Sequence, residues 1–251
     1  MSDELDRKRP SVAQTSGGGE TPAPLEGDPA RCGPEHGVRE GTRGDEPPGR
    51  DTRPDRATRF LETTRGTLSY SEIAPLLAEQ VVRVETMIYG AEWEAHPFDE
   101  HLAAGFHRAI CGDLVPDWAG KWRSLEVRVG NLQPPLPHRI SVLMRDYGAD
   151  LAARGAQVSS ALDDLTLEFL AFTEGRFLSI HPFTNFNGRT IRLFLLELLR
   201  RLDLPRVVLA PESEGERQAY FRALEAADHA DWEPLAAIWQ HRLASSKPPT
   251  W

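Results

Sequence analysis

One stretch of the 251-residue chain concentrates side chains able to do chemistry: Ser179-Ile180-His181-Pro182-Phe183-Thr184-Asn185-Phe186-Asn187-Gly188-Arg189-Thr190-Ile191-Arg192. Pro182 predicts the end of a helix near His181. That leaves an imidazole, with a proton affinity suited to neutral pH, where the chain emerges from a core. Asn187-Gly188 predicts a tight turn into a second helix. The first N–H groups of that helix lack carbonyl partners and, with the helix dipole, favour an anion. Arg189 and Arg192 stand three apart and so share a face of the same helix, one turn in. Two guanidinium groups beside unpartnered amides make a polyphosphate cradle. A general base next to such a cradle suits phosphoryl or nucleotidyl transfer to a hydroxyl.

Two apolar patterns hold this loop. Upstream, Leu162, Leu165, Phe169, Leu170 and Phe177 predict a buried helix face; downstream, Ile191, Phe194, Leu195, Leu198, Leu199 and Leu202 predict another. A polar loop between two core helices is a rigid place for a site. The same period predicts a helix from Ile73 to Ile88, capped by Ser71, and one opened by Asp99 and running to about Cys111. Further helices are predicted over 138–154, 161–180, 188–202, 214–229 and 231–245. Residues 121–132 instead alternate and carry the turn signal Gly130-Asn131, which predicts a short strand or hairpin. Pro134, Pro135 and Pro137 follow as a stiff connector. The fold class is therefore all-α, a helical bundle with one small β element.

Before Phe60 the chain has no Phe, Tyr or Trp, and 9 of its 20 glycines fall in residues 1–50. Such a segment buries too little area to offset chain entropy, so 1–57 is expected to be a disordered, solvated N-terminal tail and 58–251 the folded part. The net charge of −9 argues against a nucleic-acid partner. No uninterrupted apolar run is long enough to span a membrane, and the acidic start Met1-Ser2-Asp3-Glu4 is not that of a secretory signal. Two cysteines, Cys32 and Cys111, support no disulfide framework and fit a reducing cytoplasm. His107, His138, His229 and His241 show no metal-ligand spacing, so structural or surface roles are expected for them. Arg200 and Arg201 suit a helix C-terminus electrostatically and are given no ligand role.

The stretch resembles the motif of the Fic family, H-P-F-x-D/E-G-N-G/K-R-x-x-R, at His181, Pro182, Phe183, Asn187, Gly188, Arg189 and Arg192. Trp118-Ala119-Gly120-Lys121-Trp122-Arg123 and Val127-Arg128-Val129-Gly130 are similar to that family's flap hairpin, at about 118–133. The resemblance covers about 70–245 and implies the Fic (fido) bundle with a β-hairpin flap. It also implies a protein adenylyltransferase that moves AMP from ATP to a Ser, Thr or Tyr hydroxyl of a target protein. By the match, His181 would be the general base and Asn187 would hold the α-phosphate. Main-chain amides over Phe186, Asn187, Gly188 and Arg189 would form the anion nest, with Arg189 and Arg192 on the outer phosphates. Mg²⁺ would bridge the phosphates, and Lys121, Trp122, Arg123 and Val127 on the flap would dock the target.

Two positions depart from the family pattern. Asn185 stands where the family has its acidic metal ligand, and a carboxamide offers Mg²⁺ only a neutral oxygen. Phe186 stands where the motif has its first glycine, a position suited to an unusual backbone angle. These departures keep two alternatives open: transfer or removal of another group (UMP, phosphate, phosphocholine, de-AMPylation), or a low-activity or non-catalytic Fic-fold binding protein. Gly188, where the kinase-like Doc members carry Lys, favours nucleotidyl transfer. The inhibitory pattern S/T-x-x-x-E-G/N begins at Ser16, Thr42 and Thr58 but is completed at none, so inhibition in cis is poorly supported and an antitoxin-like partner in trans stays open.

Overall fold

Ser69, rather than Ser71, starts the helical part of the molecule. In the computed structural model, which describes residues 60–130, 132–158 and 162–246, the Glu72 N–H donates to the Ser69 hydroxyl and the Glu72 carboxylate accepts from the Ser69 N–H at 2.8 Å. This reciprocal cap opens α1 (Tyr70–Tyr89). The Asp99 carboxylate accepts from the His101 and Leu102 N–H groups and opens α2 (Glu100–Cys111). A single 3₁₀ turn at Pro137–Arg139 leads into α3 (Ile140–Gly155). Asp163 caps α4 (Asp164–Ile180), and the motif loop leads into α5 (Asn187–Arg201). A second reciprocal cap, Ser213 with Glu216, opens α6 (Glu214–Asp228), and α7 (Glu233–Ala244) follows. The mostly helical class expected from the periodicity is what forms. The tail expected over 1–57 lies outside the described residues. Among the described residues no helix is long and apolar enough to cross a membrane.

α4 packs against α3, α5, α6 and α7, while α5 packs against α1, α2 and α4. Both are buried around most of their circumference, as helices surrounded by others must be. Leu162 and Leu165 are exceptions at 50% and 54% exposure, because Asp163 caps α4 between them and turns its first residues to solvent. Gly175 lets α6 and α7 approach α4: a Cβ there would lie 2.8 Å from the Ala227 Cβ and 3.0 Å from the Trp232 ring.

Among the described residues the two buried carboxylates, Glu174 and Glu197, are paired. Glu174 accepts from the Tyr220 hydroxyl at 2.6 Å and from Arg242 at 3.1 Å, joining α4, α6 and α7. Glu197, fully buried, accepts from Arg200 at 2.9 Å and Arg201 at 2.7 Å. Arg201 also donates to the carbonyls of Trp93 and His96. The Arg200-Arg201 pair thus clips the loop after α1 onto the end of α5.

The β structure lies elsewhere than predicted. β1 (Phe60–Thr63) pairs antiparallel with β2 (Gly66–Ser69) in the register Phe60↔Ser69 to Thr63↔Gly66, with Gly66 at φ +93° in the turn. Thr64 docks this hairpin after α2 through its N–H to the Leu114 carbonyl (2.8 Å) and its hydroxyl to the Asp113 carbonyl (2.6 Å). Within 118–133 there is no ladder among the described residues beyond a single bridge, Val129↔Leu132. Pro134 and Pro135 have no N–H to donate to one. The carbonyls of Leu125 and Pro135 are taken instead by the Arg123 side chain.

Candidate active site

The motif loop is bracketed by two left-handed residues. His181 ends α4 at φ 50°, ψ 62°, its N–H still bonded to the Phe177 carbonyl at 2.9 Å. Phe186 precedes α5 at φ 62°, ψ 14°, the conformation that glycine takes most easily. A bulky residue is held there by packing: Phe186 is 9% exposed and stacks on Trp118 with ring centroids 5.8 Å apart. Phe183 points inward, fully buried, and stacks on the His107 ring at 3.8 Å.

Asn187, expected to hold the α-phosphate, closes the loop with its side chain. Its Oδ1 accepts from the Phe183 N–H at 2.9 Å, its Nδ2 donates to the Phe183 carbonyl at 2.8 Å, and it is 2% exposed. The expected four-amide nest is also narrower. The N–H groups of Arg189 and Thr190 both bond the Phe186 carbonyl at 3.0 Å. Those of Asn187 and Gly188, in the first turn, have no carbonyl of their own helix to bond. Gly188 leaves the space in front of them clear, since a Cβ there would meet nothing within 4 Å.

His181, Gly188 and Arg192 line one cleft of about 300 Å³, with Ile191, Leu209 and Tyr220 as apolar wall. Arg192 is exposed and its Nε donates to the Gly188 carbonyl at 2.9 Å, which holds its charge over the start of α5. Arg189 is half-buried and does not line this cleft. It lines a neighbouring groove of about 640 Å³ between α1, α5 and residues 206–210, which Arg192 also borders. Burial, and then the Arg192 charge, lower the proton affinity of Arg189. An anion at this helix start would relieve that repulsion.

The metal position is occupied differently from the family pattern. The Asn185 side-chain carbonyl accepts from the Tyr70 hydroxyl, and its backbone carbonyl from the His107 Nε2 at 3.2 Å. Asn185 is 5% exposed, and among the described residues no group of three His, Cys, Asp or Glu is placed to hold a metal. A neutral oxygen that already accepts a hydrogen bond does not fit the hard anionic ligand Mg²⁺ prefers.

His107 is fully buried, and its Nδ1 accepts from the Gly120 N–H at 2.8 Å, which puts the ring proton on Nε2, toward Asn185. Burial pushes His107 down to about 4 and the adjacent Cys111 thiol up to about 12, so the pair is neutral and Cys111 unreactive. No local pattern marks Tyr70 or His107 as a partner of the loop, since both contacts span many residues.

The four flap residues divide. Lys121 is exposed, its Nζ on the Asp117 carbonyl at 2.8 Å, and Trp122 is half-buried against Phe183 at 5.2 Å. Arg123 and Val127, expected to dock a target, are buried at 3% and 6%. Arg123 is drawn in by backbone carbonyls, and Val127 joins the apolar interior.

Residues 97–199 match the sequence profile of the Fic/DOC family. The protein adenylyltransferase Fic of Nematostella vectensis is 31% identical over 129 residues, 51% of this chain and 28% of that protein. The protein adenylyltransferase fic-1 of Caenorhabditis briggsae is 32% identical over 140 residues, 55% of this chain and 26% of that one. The chain thus spans about a quarter of the length of these relatives. Among solved structures, the Bartonella tribocorum effector BepC with bound AMPPNP superposes with a TM-score of 0.58 at 16% identity, over 78% of this chain and 96% of that one. A Fic domain from Bartonella quintana with bound ADP gives 0.54 at 17%, over 78% and 94%. At such identities the likeness is one of fold. The loop, the helices that bracket it and the matched profile agree: over residues 97–199 this chain is similar to the Fic/DOC family.

Proposed function

We propose that this chain is a protein adenylyltransferase that moves AMP from ATP to a hydroxyl side chain of a protein target, with a catalytic domain extending over 58–251. The observation that carries the reading is the shared cleft, in which His181, the open start of α5 at Gly188 and the Arg192 guanidinium face one space. His181 accepts the proton of the target hydroxyl as its oxygen attacks the α-phosphorus. The bond from that phosphorus to the bridging oxygen breaks, and pyrophosphate leaves. The amides of Asn187 and Gly188 receive phosphate oxygens, and Arg192 and Arg189 neutralise the outer phosphates. The apolar wall suits the nucleoside. Relatives named protein adenylyltransferases, and neighbours bound to AMPPNP and ADP, support the same donor.

Mg²⁺ is assigned no protein ligand, because Asn185 does not fit one. That same observation favours a second reading, in which nucleotide binds but turnover is low. Incubation with ATP labelled at the α- or the γ-phosphate, followed by intact-mass analysis, tests the proposal. Label from the α-position on protein supports it, and label from the γ-position alone refutes it.

A further inference from the structure

Arg123 is a buried guanidinium with no close ion pair among the described residues, the Glu126 charge acting on it only from a distance. It is 3% exposed, and burial lowers its proton affinity. Burying a cation this way is costly unless every donor is satisfied. Here backbone carbonyls take four of its five N–H donors, and they fall into two sets. On the site side, Nε donates to the His181 carbonyl at 2.8 Å, Nη2 to Ile180 at 3.4 Å, and the Arg123 N–H to Pro182 at 2.8 Å. On the flap side, Nη1 donates to Leu125 at 2.9 Å and Nη2 to Pro135 at 2.6 Å. The first set is the C-terminus of α4, where unsatisfied carbonyls and the helix dipole both favour a cation. The second set includes both limbs of the 121–136 segment.

A planar fork with five N–H groups spans both sets at once, which an ammonium cannot do. The peptide it grips is that of His181, whose backbone is left-handed. Its loss frees that residue to relax and swing the imidazole. We propose that Arg123 is a positioning residue that fixes the direction of the His181 imidazole and couples it mechanically to the flap. This rests on the reading of His181 as the base. Phosphate binding depends on the start of α5, which Arg123 does not touch, so the two functions separate.

The test uses the full chain as wild type, Arg123→Lys and Arg123→Ala, with three readouts: ADP affinity by calorimetry, the His181 ring resonances by NMR, and transfer of α-label from ATP. In both variants ADP affinity is expected to stay near the wild-type value while the His181 resonances shift or broaden. Transfer is expected to fall about 100-fold, the scale of an ångström-sized misplacement. Adding methylguanidine to Arg123→Ala should restore part of the transfer and sharpen the resonances. The inference is overturned if the ring signals and transfer match wild type in both variants. It is overturned as well if ADP affinity collapses in step with transfer in Arg123→Lys, which would mark a merely structural role. If wild type transfers no label, the transferase reading fails, and the ring signals with ADP affinity still decide the role of Arg123.

Discussion

Gly188→Ala should move stability and nucleotide affinity in opposite directions. Gly188 sits in the first turn of α5, its φ is not positive, and a Cβ would meet nothing within 4 Å. The protein therefore tolerates the methyl, and replacing a helical glycine by alanine should stabilise it by about 0.5–1 kcal/mol. For a domain of this size that is a rise in Tm of roughly 1–4 °C. The open space that makes the change harmless to the fold is also where a phosphate oxygen must come within about 2.9 Å of the amides. A methyl group there displaces it. Losing one charge-assisted hydrogen bond costs about 1.5–3 kcal/mol, which weakens ADP binding about 10- to 100-fold. Calorimetric melting and isothermal titration with ADP measure both quantities on one preparation. A higher Tm with unchanged affinity would refute the phosphate seat at α5, and a lower Tm would refute the description of Gly188 as sterically free.

Phe186 gives an inverted stability series. Phe186→Ala forfeits the packed ring, about 3–5 kcal/mol, and keeps a left-handed backbone. Phe186→Gly forfeits the same ring but sheds about 1–2 kcal/mol of backbone strain, so urea unfolding should find glycine the more stable replacement; the opposite order would show the strain is not felt. His107 makes stability pH-dependent. Folded, it stays neutral down to about 4, whereas the unfolded chain takes the proton below 6.5. Its contribution, on the order of 3 kcal/mol, is complete above pH 6.5 and lost as pH falls toward 4. His107→Gln should flatten that part of the urea-midpoint profile, and an unaltered slope would contradict the burial. Asn185→Asp with Tyr70→Phe should make ADP binding strengthen with added Mg²⁺, while wild type changes by less than about threefold; strong Mg²⁺ dependence in wild type would contradict the ligand assignment.

The helices were legible because their apolar residues repeat at the helical period, and α1, α2, α4 and α6 also begin at polar caps; α3, α5 and α7 have no side-chain cap. The cap of α1 falls at Ser69 rather than Ser71 because Ser69 has a carboxylate three residues on, Glu72, where Ser71 has Ala74. Alternation misled at 121–132. Arg123 reads as a solvent-facing charge, yet its fork replaces a strand ladder by gathering carbonyls from both limbs. The hairpin at 60–69 escaped notice because its strands are four residues long and its anchor, Thr64 to Leu114, is tertiary. At the site, the placement of a loop between two core helices was readable, since prolines, glycines and apolar runs act locally. The use of Asn187 was not: whether an amide faces a ligand or the peptide of Phe183 depends on the loop's own closure.

The left-handed backbone at His181 bears on how an inactive control should be made. Alanine removes the imidazole but also places a residue with a Cβ and no polar side chain in a conformation it resists, at about 1–2 kcal/mol. A dead alanine mutant would therefore confound missing base with a reshaped helix end. Asparagine visits that region readily and has no proton-accepting nitrogen. His181→Asn is the substitution whose silence in an assay can be assigned to chemistry.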